Sequence, residues 1–307
     1  MIYNRTDSLL IISGIIFILC TGFHLGKNGA EFTLNNGLAA AKELKAIKMD
    51  KKNVIIKEYE MGGVIKILKR WDLPDVLKEI SGIAYIDAAH FACIQDEIGI
   101  IYIYNIETAK IEKEIPFAGA GDFEGITLVG NEAYVVRADG KLYAISDISG
   151  DQHVIKEYST PLTAKHDVEG LCYDKNNNRL LLAAKETKPG YNGIYAFDLA
   201  SGTMKEKPVL IIEMPQVLSG AGQKKKPQEM MTSAISIHPI TNDIYATDGR
   251  KAQLLILDKG GKIKRLFDLN SRDFAQPEGI SFNPAGEMFI SNEGVKDAGN
   301  ILKVSIN

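Results

Sequence analysis

The body of this chain is nearly free of cysteine. Of three in 307 residues, Cys20 lies in an apolar N-terminal run and only Cys93 and Cys172 remain. These two fall in separate, non-adjacent units of the pattern described below, so no disulfide is expected and stability must come from core burial, which a chain of this length can supply. Basic runs are equally scarce. Lys224-Lys225-Lys226 is the only one, it sits among Gly, Gln and Pro as a solvated loop does, and the formal net charge is -3. Without an extended basic face, no nucleic acid or acidic polymer is indicated as a partner. Catalytic signatures are missing too: there is no Ser-His-Asp set and no zinc motif. The Gly-Ala-Gly segments at 119–121 and 220–222 do not lead from a strand into a helix, as a phosphate loop must.

One long hydrophobic run is present. Residues 9–25 read LLIISGIIFILCTGFHL, with Arg5 ahead and Lys27 behind, which marks the chain for export. The run is short for a bilayer span and long for a signal core. An uncleaved membrane anchor over residues 1–25 is the favoured reading, with a cleaved signal or a lipoprotein at Cys20 as alternatives; Leu19 is large for the position before a lipid-modified cysteine. Either way the protein is expected in the bacterial cell envelope, anchored in the inner membrane and facing the periplasm, or secreted to it. Residues 26–62 are polar and Lys-rich and read as a tether, with helical spacing only at Leu38, Ala41, Leu44 and Ile47.

From residue 63 to 307 the chain repeats. Ser81-Gly82-Ile83, Glu124-Gly125-Ile126, Glu169-Gly170-Leu171, Ser233-Ala234-Ile235 and Glu278-Gly279-Ile280 recur in phase. A period of about 45 residues with strand-like contents is the mark of a β-propeller, one four-stranded blade per repeat. The longer third interval is accounted for by an inter-blade insertion at 215–229. Turn sequences such as His238-Pro239 and Asn283-Pro284-Ala285-Gly286 recur after the first strands. The fifth repeat runs out of chain after three strands, so Val64 to Trp71 is expected to supply its outer strand and close the ring. The fold class is therefore an all-β, five-bladed β-propeller closed by an N-terminal outer strand and preceded by a hydrophobic helix.

First strands line the axis of a propeller, which directs Ser81, Glu124, Glu169, Ser233 and Glu278 inward. The positions two earlier add Glu79, Asp122 and Asp167. Like charges about 4 Å apart repel by roughly 4 kcal/mol at an effective dielectric near 20, so either a cation or protons must neutralise this set. Carboxylate and hydroxyl oxygens without His or Cys favour calcium over zinc or copper. The ends of the second strands form a rim on the same face: Gln95-Asp96-Glu97, Arg137-Ala138-Asp139, Lys185-Glu186, Asp248-Gly249-Arg250 and Asn292-Glu293. Arg137 and Lys185, together with His166 beside Asp167, are candidates to bind a phosphorylated or carboxylated small molecule or to transfer protons. The alternative is that they serve ion pairs, Arg137 with Asp167 and Lys185 with Asp248, and that His166 is a bystander in a polar loop.

The run Trp71-Asp72-Leu73-Pro74, followed by Glu79-Ile80-Ser81-Gly82-Ile83-Ala84-Tyr85 and Asp122-Phe123-Glu124-Gly125-Ile126, resembles the SdiA-regulated family of bacterial envelope propellers. That resemblance spans about residues 64 to 307 and implies the propeller and an N-terminal membrane segment more firmly than any activity. The order Ser81, Glu124, Glu169, Ser233, Glu278 is also similar to the axial calcium ligands of the calcium-activated nucleotidases (apyrases), which are five-bladed propellers. Two functional classes follow: a calcium-locked binding or scaffold module, with a small molecule or an envelope protein as partner, and a calcium-dependent hydrolase of phosphoesters or phosphoanhydrides. Lactone or ester hydrolysis is a third, weaker reading.

Overall fold

The computed structural model describes residues 60–185, 191–214 and 230–306, together with the backbone of four short strands, Ile47–Met49, Asn53–Ile56, Gln216–Ser219 and Lys226–Pro227. The chain winds into five consecutive antiparallel sheets, an all-β five-bladed propeller. Blade one is Ile80–Tyr85, His90–Gln95, Ile98–Asn105 and Lys110–Ala120. Blade two is Phe123–Val129, Glu132–Arg137, Leu142–Ile145 and Ile155–Tyr158. Blade three begins Val168–Asp174, Arg179–Ala184 and Tyr191–Asp198. Blade four is Thr232–Ile237, Ile244–Asp248, Gln253–Leu257 and Ile263–Asp268, with Glu60–Met61 added parallel at its outer edge. Blade five is Pro277–Phe282, Met288–Asn292 and Asn300–Ile306. Its outer strand is Ile65–Asp72, from the other end of the sequence, paired antiparallel from Asn300↔Asp72 to Ile306↔Ile65.

Both faces of each blade are dry, which explains why the middle strands read as unbroken apolar runs rather than as alternations. Successive side chains of a strand point to opposite faces. Thus Leu180, Leu182 and Ala184 pack toward blade two, while Leu181 and Ala183 pack toward blade four. Five core clusters result, one at each junction between consecutive blades. At the closing junction Trp71, Leu73 and Leu77 join Ile80, Phe91 and Tyr104 of blade one with Phe289 and Ile301 of blade five. Phe289 stands 4.9 Å from Phe91 in edge-on contact. Cys93 and Cys172 are free and buried in different clusters.

Two details depart from the sequence reading. The outer edge of blade three is not the single strand that four strands per blade implies but two short ones, Thr203–Met204 and Leu210–Glu213, both paired with Tyr191–Asp198. Pro208, which lacks an N–H to donate, lies in the gap between them. The inter-blade insertion is not only loop: Gln216–Ser219 pairs with Asn53–Ile56 of the tether. The apolar run at 9–25 lies outside the described residues, as does the helix-spaced set except Ile47, which opens a strand. Among the described residues no helix is long and apolar enough to cross a membrane.

Candidate functional site

The same irregularity opens every blade. In blade one the register with the second strand jumps from Ile80↔Gln95 to Gly82↔Ile94, leaving Ser81 unpaired. Glu124, Glu169, Ser233 and Glu278 are skipped in the same way. These are five equivalent β-bulges. A bulge re-aims the extra residue, and here it turns one oxygen-bearing side chain per blade out of the sheet. The signal was present in the sequence. Ile80 and Ile83 are both buried core residues, as are Phe123 and Ile126, and Val168 and Leu171. Each pair lies in one core cluster, hence on one face of its blade, and a spacing of three on one face cannot come from a regular strand with period two.

The glycine after each bulged residue lets the next inner strand come close. A Cβ on Gly125 would stand 3.0 Å from both Glu169 O and Leu171 N; one on Gly170 would be 3.0 Å from Ile235 N, and one on Gly279 3.1 Å from Ile83 N. Blade four alone carries Ala234 there. Gly125→Val is therefore expected to cost about 2–3 kcal/mol through overpacking against backbone that cannot yield, lowering the melting temperature by roughly 5–10 °C. Ala234→Gly is the control, expected to change it by no more than about 3 °C. Equal melting temperatures for Gly125→Val and wild type would show that the axis is not close-packed.

Four of the five bulged residues reach the axis. Ser81, Glu124, Glu169 and Glu278 line a cavity of about 130 Å³ with Glu79, Ile80, Asp96, Lys185, Gln276 and Glu293. On the other side the same four border a constriction of only about 10 Å³, lined otherwise by glycines, Ala234 and the aliphatic Ile83, Ile126, Leu171, Ile235 and Ile280. The axis is thus a polar cup on an apolar floor. Ser233 is the exception. Its Oγ donates to Pro277 O at 2.6 Å and lies 3.0 Å from Thr247 Oγ1, and the Glu278 carboxyl leans into the space left by Gly249, where a Cβ would stand 2.6 Å from Oε1. Ser81 Oγ likewise donates across the blade junction, to Phe123 O at 2.6 Å.

Lys185 supplies the positive charge in the cup. Its Nζ donates to Glu169 Oε1 and stands 3.5 Å from Asp167 Oδ2. Asp167 has φ 49°, a left-handed conformation that favours glycine. The other two cationic candidates are engaged elsewhere. Arg137 is gripped by Asp139, with Nε and Nη2 at 3.0 and 2.6 Å from its two oxygens. The Nδ1 of His166 accepts from Thr163 N at 3.1 Å, and its ring packs edge-on against Tyr195. Neither lines the cup. The pairing of Arg137 with Asp167 and of Lys185 with Asp248 does not occur; Asp248 accepts instead from the backbone N–H of Met231 and of Lys251. Conversely Asp96 and Glu293, which the sequence placed on the rim, are part of the cavity wall.

Burial on the apolar floor decides the protonation of these acids. It pushes the Glu124 carboxyl far above the usual carboxylate range, with the neighbouring charge of Glu169 and contact with Asp122 adding to the effect. Glu278 is pushed up to about 8 by burial and then by Glu169. Burial also raises Glu169, against the pull of the Lys185 ammonium. For Lys185 burial works the other way, but Glu169, Asp167 and Glu124 outweigh it and keep the amine charged. Asp96 and Glu293 are raised by burial and by Glu79, among other acids. As the side chains stand, no three His, Cys, Asp or Glu among the described residues are placed to hold a metal ion together.

Comparison with known proteins gives the same architecture. A glutaminyl cyclase from Myxococcus xanthus superposes with a TM-score of 0.58 at 16% identity, over 81% of this chain and 99% of that one. A virginiamycin B lyase from Staphylococcus aureus gives 0.47 at 17% identity, over 80% and 100%. At 16% identity the likeness to the cyclase is one of fold alone. No curated protein matches the chain by sequence. The model of the SdiA-regulated family matches residues 51–294, most of the propeller with its closing strand, and the chain belongs to that family.

Proposed function

We propose that this chain is an exported, membrane-anchored propeller of the bacterial cell envelope that acts as a binding or scaffold module, and that a calcium ion on its axis locks the blades together. One observation carries the reading: Glu124, Glu169 and Glu278, remote in sequence, face one cup over an apolar floor, where burial and mutual repulsion hold protons on them that a cation would replace. An all-oxygen donor set suits a hard cation that accepts six to eight flexible ligands. Donor capacity is also left over: Ser81 Oγ keeps its lone pairs while donating, and Asp96 Oδ1 is buried without a hydrogen-bond partner. Ser233, turned to Pro277 and Thr247, would join such a set only by rotating. The apolar run at 9–25 supports the anchor.

The hydrolase reading draws less support, because Arg137 and His166 are held away from the cup and Lys185 alone faces it. Metal analysis of purified 60–307, with thermal melts in EDTA and in 1 mM CaCl2, tests the proposal. A calcium-dependent rise in melting temperature of 5 °C or more is expected, with no turnover across a panel of phosphoesters, phosphoanhydrides and lactones. Superposed melts and a metal-free protein would overturn the calcium; turnover restored by calcium and lost in Lys185→Ala would favour the hydrolase.

A further inference from the structure

Backbone pairing defines a second ring above the bulged residues. Ala138 N donates to Asp122 O, Lys185 N to Asp167 O and Glu293 N to Gln276 O, at 2.8, 2.8 and 2.9 Å. The ladders place Asp96 and Gly249 at the same point of blades one and four. The five equivalent residues are thus Asp96, Ala138, Lys185, Gly249 and Glu293, and only blade three carries a cation. Its ammonium is directed at Glu169, whose side chain is 6% exposed, while its own side chain keeps 31% exposure and so has a way out toward the mouth.

We infer that Lys185 is a tethered competitor of the axial cation: its ammonium occupies Glu169 in the ion-free protein, must swing out for an ion to bind, and so makes the cup selective for divalent over monovalent cations. The inference rests on the axial cation site proposed above. A tethered ammonium has a high effective concentration and gives up no translational freedom on binding. Sodium or potassium would replace one unit charge with another and lose that advantage. A divalent ion brings one more positive charge to a cup walled by Glu79, Asp96, Glu124, Glu169, Glu278 and Glu293, where each added charge counts for more than in water.

Calorimetric titration of CaCl2 into the full chain and its Lys185→Gln variant tests this. The variant is expected to bind calcium at least tenfold more tightly, and its melting temperature in EDTA to rise by several degrees between 0 and 300 mM NaCl while wild type stays flat. A variant that is folded by circular dichroism yet binds calcium equally or more weakly overturns the inference and leaves the calcium site standing. If wild type takes up no calcium at millimolar concentration but the variant does, the proposed function fails and Lys185 remains the reason. If neither binds, both fail. Should the variant not fold, amine labelling of wild type at Lys185, read by mass spectrometry, decides: calcium is expected to increase labelling severalfold, and an unchanged or lower rate counts against displacement.

Discussion

Residues 73–307 alone are expected not to hold a closed ring, whereas residues 60–307 melt cooperatively like the full chain. The difference is Ile65–Asp72, which pairs along the whole of Asn300–Ile306. Without it the last strand of blade five becomes an open hydrogen-bonding edge, a template for aggregation. The core at the closing junction loses more. Trp71 is 8% exposed, stacked at a tilt 6.4 Å from Phe289, with Lys69 Nζ 4.7 Å over its ring. Deleting one such buried aromatic costs about 3–5 kcal/mol, and the Asp72 carbonyl that receives the Tyr104 hydroxyl at 3.2 Å goes with it. Against a total stability of about 5–15 kcal/mol for a domain, the sum is enough to abolish the folded state. Thermal melts by circular dichroism and size-exclusion profiles of the two fragments provide the check. A cooperative melt of 73–307 within a few degrees of 60–307 would show that the ring closes without this strand.

The repeat was legible because its cause is geometric: each blade must bring one inner strand to a shared axis, and Ser or Glu followed by Gly or Ala marks that point five times. What escaped the sequence reading depends on side-chain direction within a few residues. A period of two sends Glu79 and Ser81 the same way, and both do line the cup, but that Ser81 leaves the ladder as a bulge is betrayed only by the core spacing of Ile80 and Ile83. Arg137 looked free to reach the axis, but Asp139 two residues on takes both arms of its guanidinium before anything farther can. His166 sits beside the acidic Asp167, yet its ring is drawn into the Thr163 turn. The partner of Lys185 is the axial Glu169 rather than Asp248, because the register sets Lys185 directly above its own blade's inner strand.

In EDTA the protein is expected to lose thermal stability as pH rises from about 5 to 8.5, and calcium is expected to cancel most of that loss. The sign follows from Glu278, whose carboxyl has an ordinary value of 4.5 and is raised to about 8 in the folded protein by burial and by Glu169. A group raised on folding binds its proton more tightly in the native state, so its contribution is complete below 4.5 and disappears as pH climbs through 8. Glu124 and Glu169, also raised, act in the same direction. The largest effect of one such group is on the order of 5 kcal/mol, less in a cup open to water, which corresponds to a fall of roughly 5–10 °C. Calcium would take the place of the protons, and its binding would release them and strengthen with pH. Glu278→Gln separates the causes: it should make the EDTA curve less steep, leaving the share of Glu124 and Glu169, raise the melting temperature at pH 8 and reduce the stabilisation by calcium. A flat wild-type curve in EDTA would mean that the acids are not crowded as described. A steep one indifferent to calcium would leave protons and Lys185 as the only counter-charges of the axis.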